Sequence, residues 1–174
     1  MSETLREDGG EDLTLFRRIL ALLDERSLPY DVLDHDRVHT SEEAARVRGT
    51  RIEEAAKALV LCGRGSRDGR PVEEFFMCVV PGHKRLSLRR VKALLGFKKA
   101  ALAHPDDVFR VTGCRVGAVP PFPILFNLPG YCDASILENE RVVFSAASHY
   151  KSVRMLSADW RGVAGVTVLN LTEE

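Results

Sequence analysis

Between residues 11 and 26 the apolar positions Leu13, Phe16, Leu20 and Leu23 recur at helical spacing among charged neighbours, which predicts an amphipathic helix. Ser27-Leu28-Pro29 ends it, and residues 30–33 alternate as a strand does. Thr40, with Glu43 three residues on, is a capping-box signature that opens a helix through about Val47, and Gly49 stops it. A further turn or two of helix covers residues 52–56. Residues 58–62 and 75–80 are apolar runs on either side of the turn Ser66-Arg67-Asp68-Gly69-Arg70, which predicts a hairpin. Ser87 caps a helix to Leu95, with Gly96 just past its end. Residues 98–102 read as a strand. His104-Pro105-Asp106-Asp107 then opens a short helix, with proline in the first turn and acids complementing the dipole. Residues 124–126, 132–136, 142–145, 153–155 and 166–171 complete the set as strands. Strands outnumber helices, and several follow one another directly. The predicted class is therefore α+β, a single domain whose mixed, largely antiparallel sheet is flanked by helices. Residues 1–10 read as a disordered lead, leaving 11–174 as the domain.

Composition narrows the partners. Twenty-five Lys and Arg balance 25 Asp and Glu, so no global field marks a nucleic-acid binder. The distribution is uneven. Residues 83–99 hold seven Lys or Arg and no acid, whereas residues 1–12 carry Glu3, Glu7, Asp8, Glu11 and Asp12 against Arg6 alone. The basic run is either a solvated helix face or a local phosphate-facing patch. Cys62, Cys78, Cys114 and Cys132 form no CxxC pair and follow a polar N-terminus, which predicts reduced thiols in a cytoplasmic protein. No apolar run approaches the roughly 18 residues of a membrane span. His35 and His39 lack a nearby cysteine partner, and no metal or cofactor is expected.

Two features carry candidate chemistry. The first is Thr112-Gly113-Cys114-Arg115-Val116-Gly117-Ala118-Val119-Pro120-Pro121-Phe122, whose glycines and prolines describe a shaped loop. Its amides either face a ligand or merely connect elements. Cys114 has no base nearby in sequence and reads as a small packing residue. The second is Lys57, at the junction of a helical turn and an apolar strand. There it either sets one ammonium at the sheet edge or snorkels to solvent.

Their order along the chain is recognisable. Lys57 in AAKALVL, PGHKRLSLRRVKALLGFKKAALA at 81–103, VTGCRVGAVPPF at 111–122 and VVFSAASHYKSVRM at 142–155 resemble the YbaK / prolyl-tRNA synthetase-associated editing domain family, over roughly residues 13–170. The resemblance implies a mixed α/β fold and hydrolysis of mischarged aminoacyl-tRNA in a pocket for the aminoacyl ester. It makes Lys57 the pocket lysine and starts a Gly-x-x-x-Pro loop at Gly117 that closes at Pro121, the two catalytic positions being Lys57 and Gly117. His39, Thr112, Gly113, Ala118, Pro121, Ser145, His149 and Ser152 are the substrate-binding candidates, with Thr40 read first as a helix cap. Lys84, Arg85 and Arg89 would face the tRNA backbone. The implied nucleophile is a positioned water or a substrate group, with no triad and no metal. The expected partner is the tRNA acceptor end, together with a synthetase or elongation factor that recruits the enzyme. The chain departs from one branch of the family, which carries Asp where Ser152 stands, and the amino acid removed stays open among Ala, Ser, Thr, Cys and a non-protein residue. A free-standing trans-editing hydrolase is the leading reading. A non-catalytic module that binds tRNA or a synthetase, and a hydrolase of another small ester, are the alternatives.

Overall fold

The Asp68-Gly69 pair closes the longest feature of the fold. In the computed structural model, which describes residues 10–38 and 40–174, both residues have left-handed backbone (φ 52° and 75°). That geometry lets a two-residue loop join strands with their natural twist. Strands β2 (Ala56–Arg67) and β3 (Arg70–Pro81) pair along their whole length, beyond the apolar runs that predicted them. Their outer halves are charged and hold together by cross-strand ion pairs, Arg64 to Glu73 at 2.8 Å and Arg67 to Glu74.

The remaining elements follow in the order α1 (Thr14–Glu25), β1 (Tyr30–Asp34) and α2 (Ser41–Arg48) before the hairpin. After it come α3 (Leu88–Leu95), β4 (Lys99–Leu102), α4 (Pro105–Thr112), β5 (Gly130–Asp133), β6 (Arg141–Ser145), β7 (Lys151–Leu156), α5 (Ser157–Ala164) and β8 (Thr167–Leu169). The class is α+β, and the strands divide into two sheets. One is wholly antiparallel, in the order β1-β7-β6. The other runs β4-β2-β3-β5-β8, with β5 parallel to both β3 and β8. An isolated parallel bridge from Ala55 to Val143 joins the two. Apart from Gly10, the predicted disordered lead lies outside the described residues.

Strand β3 is covered on both faces, as befits a central strand. Met77 and Val79 pack into the main core with Phe16, Ile19 and Leu23 of α1. Phe76 and Cys78 point the other way, toward Leu61, Val91, Phe97 and Leu171. Phe76 stacks on Phe97 with ring centroids 5.3 Å apart.

Three local readings are corrected. Residues 124–126 are a 3-10 turn (Pro123–Phe126), not a strand, because Pro123 starts a turn that Asn127 ends with left-handed backbone. Residues 132–136 are a strand only to Asp133, after which Ala134–Glu138 is again 3-10. The predicted helix at 52–56 shrinks to a 3-10 turn, Ile52–Glu54, feeding directly into β2. Helix α5 was not predicted. Its Trp160 is fully buried, and the indole N–H donates to Pro121 O at 2.9 Å.

Asp133 is the buried polar anchor of this corner. Its carboxylate accepts from Leu171 N (2.7 Å), Thr172 N (3.0 Å) and Ser135 N (3.1 Å), and from the Ser135 hydroxyl. Burial alone would raise its pKa, but these donors outweigh burial and hold it below the ordinary 3.8. A depressed folded-state pKa contributes stability that is present above about pH 4 and lost as pH falls through the folded value. Asp133→Asn should therefore cost about 3 kcal/mol at neutral pH, since an amide cannot accept from every donor, and less in acid. Thermal midpoints of both proteins against pH check this, and parallel curves would refute it.

Candidate active site

A cleft of about 270 Å³ opens beside the Ala55–Val143 bridge. Its walls come from α2 and the residues just before it, the start of β2, the loop around Gly117, the end of β6 and the turn that follows β6. Thr40 makes the first wall possible by capping α2, its Oγ1 accepting from Glu43 N at 3.1 Å. Lys57, Gly117, Ser145 and His149 all line this cleft. Lys57 is half-buried and has no ion pair among the described residues.

Gly117 has φ +91°, a conformation that L side chains resist. A Cβ placed on it would lie 3.3 Å from His149 Cε1, so the loop passes close against the imidazole. Ala118 N–H is spent on Arg115 O (3.0 Å), whereas Gly117 N–H has no hydrogen-bond acceptor among the described residues. The loop is pinned further on, where Pro121 is buried and its carbonyl accepts from Trp160.

The turn bearing His149 is held from the chain's start. Glu11 accepts from His149 N at 2.8 Å and from the Ser148 hydroxyl, and Ser148 Oγ in turn accepts from Tyr150 N and Lys151 N. Ala147, just before it, has φ 59°. A second groove, sharing His149 with the cleft, is lined by Arg37, Phe109 and Arg115 together with Gly113 and Ala118.

Other predicted residues take different places. Thr112 is buried, its hydroxyl donating to Val108 O (2.7 Å) and accepting from Cys114 N (3.0 Å), which closes the end of α4. Gly113 supplies the left-handed cap of that helix. Ser152 is fully buried, behind the cleft wall. Arg85 and Arg89 line an open depression around the start of α3 with Glu173 and Glu174, apart from the cleft. Lys84 lies in the turn after β3, where Gly82 N donates to Ala55 O (2.9 Å). His39 lies outside the described residues. Cys114 is buried and burial pushes its thiol up to about 11, so it is a packing thiol and not a thiolate.

The residue that sequence reasoning missed is Arg48. It lines the cleft, its Nε donates to Ser152 Oγ at 2.8 Å, and its Nη2 donates to Ser145 Oγ at 3.2 Å. Burial pushes its guanidinium down to about 10. An arginine in the last turn of a short helix gives no local sign of this, since both partners lie about a hundred positions on.

Known proteins share this arrangement of chain. A family model described as the aminoacyl-tRNA editing domain matches residues 35–163. A multifunctional Ser/Thr-tRNA deacylase, ProXp-y, of Escherichia coli (strain K12) is 29% identical over 155 residues, covering 88% of this chain and 90% of the relative. The prolyl-tRNA editing protein ProX of Acetoanaerobium sticklandii is 25% identical, covering 66% of each chain. Among solved structures, one assigned provisionally as a trans-editing enzyme for prolyl tRNA synthetase superposes with a TM-score of 0.75 at 25% identity, over 94% of this chain and all of the other.

Proposed function

Because the chain belongs to the aminoacyl-tRNA editing domain family, we propose that it is a trans-editing hydrolase that releases the amino acid from mischarged tRNA. Cleavage falls at the ester joining the amino acid to the 3′-terminal ribose. The observation that carries the reading is the convergence of Lys57, Gly117 and His149 on one cleft. In this mechanism the Lys57 ammonium neutralises a phosphate of the terminal nucleotide, which fixes the substrate's register. The Gly117 amide faces the ester carbonyl and donates to its oxygen as charge develops there. Water adds to the carbonyl carbon, the bond to the ribose oxygen breaks, and that oxygen leaves with a proton. An ester needs no stronger nucleophile when it is held in position.

Serine and threonine are the proposed amino acids. The Escherichia coli relative is named for that pair, and a cleft of about 270 Å³ suits small side chains. The tRNA acceptor end is the proposed partner, with a synthetase or elongation factor to deliver it. No helix of the described residues is long and apolar enough to cross a membrane.

The test is a deacylation panel with tRNA charged with Ala, Ser, Thr, Cys and Pro. Release of serine and threonine ahead of the others is expected. Binding of tRNA without release of any amino acid would overturn the enzymatic reading in favour of a non-catalytic binding module.

A further inference from the structure

Arg48 is a cation held by neutral groups. Its side chain is largely withdrawn from water, yet its hydrogen-bond partners among the described residues are the hydroxyls of Ser145 and Ser152, with no carboxylate. Burying an uncompensated charge is costly, and such an arrangement is characteristic of functional sites.

The hydrogen-bond directions around it are fixed by one ring. His35 Nδ1 lies 2.8 Å from Asp36 O, which can only accept, so Nδ1 carries the proton. In the neutral ring Nε2 then accepts, and it takes the Ser152 O–H at 2.7 Å. Ser152 Oγ in turn accepts from Arg48 Nε. Ser152 is thereby engaged by both neighbours, its O–H spent on the ring, and it holds the guanidinium plane from behind the wall.

Ser145 is different. It sits opposite Ser152 in the β6–β7 pairing but lines the cleft itself. It accepts from Arg48 Nη2, its own O–H has no acceptor among the described residues, and a second lone pair remains. Arg48 likewise keeps N–H donors beyond the two it has used, and it too lines the cleft. Side by side, the cleft offers an N–H that can only donate and a hydroxyl that can also accept. A ligand hydroxyl, both acceptor and donor, satisfies that pair. A phosphate or carboxylate, which only accepts, does not use Ser145's accepting capacity.

We propose that Arg48 and Ser145 read the side-chain hydroxyl of the amino acid to be released, accepting only acyl groups that carry one. The proposal rests on the deacylase reading above and names the residues that set its selectivity. Sites that hydrogen-bond a substrate hydroxyl reject the analogue lacking it, because their own polar groups are left unpaired.

The test compares kcat/KM for tRNA carrying serine against alanine, and threonine against 2-aminobutyrate, pairs that differ by one oxygen. Wild type should prefer the hydroxylated member at least tenfold. In Arg48→Gln and Ser145→Ala that preference should collapse, chiefly through a higher KM for the hydroxylated member. Lys57→Ala should slow all four substrates and leave the preference standing. Should Arg48→Gln fail to fold, Ser145→Ala decides alone. A wild type indifferent to the oxygen, or variants that keep its preference, would overturn the proposal while leaving the deacylase intact. A wild type that releases nothing from any substrate overturns the deacylase reading itself.

Discussion

Replacing Lys57 with alanine is expected to lower kcat/KM for aminoacyl-tRNA about a hundredfold, or about 2.7 kcal/mol of transition-state stabilisation. The magnitude follows from where the ammonium sits. It is half-buried at the start of β2, in a cleft whose other cation, Arg48, is held by serines. A phosphate brought there would meet its main counter-charge in Lys57, at a dielectric well below that of water. The loss should shrink as salt rises, since screening erodes what the wild type gains. Lys57→Arg should retain part of the activity, because the charge remains while its shape changes. The fold should survive, for the residue contributes no ion pair among the described residues. Single-turnover deacylation beside thermal melting checks both points. A fully active, folded Lys57→Ala would remove the lysine from the mechanism.

Gly117→Ala should cost at least tenfold, for two reasons that can be separated. Backbone at φ +91° is strained for any L side chain, by about 1–2 kcal/mol. The new methyl would also stand 3.3 Å from His149 Cε1, so ring or loop must give by a few tenths of an ångström, and where the loop gives it takes the proposed ester-binding amide with it. Strain appears as a lower thermal midpoint. Displacement appears as lost activity in protein that is still folded. Adding His149→Ala relieves the crowding but not the strain, so a smaller loss from Gly117→Ala in the His149→Ala background than in the wild type would identify displacement as the cause. Undiminished turnover by Gly117→Ala would mean that the loop does not hold the ester.

What the sequence made legible was local. The caps at Thr40 and Ser87 and the left-handed stop at Gly96 were readable because each needs only neighbours three or four residues away. The Asp-Gly hairpin was readable too, though its charged outer ribs hid the true strand length. Ile124-Leu125-Phe126 looked like a strand, and only Pro123 and Asn127 on either side reveal the turn. Helix α5 escaped because Ser157–Ala164 has no pronounced apolar stripe; the pocket for Trp160 is made by the rest of the fold. In the cleft, Lys57 and the loop around Gly117 stood out from their local setting, but only the family resemblance put them in one pocket. Arg48 shows the limit most sharply. Its environment is set by Ser145 and Ser152, paired across β6 and β7, and nothing near residue 48 encodes them.

The hold of Glu11 on Ser148 and His149 has a consequence for how the molecule can be cut. Those contacts span 137 and 138 positions, yet Glu11 precedes the first helix and sits outside the main core. A protease that nicks the backbone between Glu11 and Asp12 would leave Leu13 and the packed interior in place while untying the turn against Gly117. The trimmed protein would melt like the parent and work poorly, so resistance to heat and fitness for catalysis are divided at a single peptide bond.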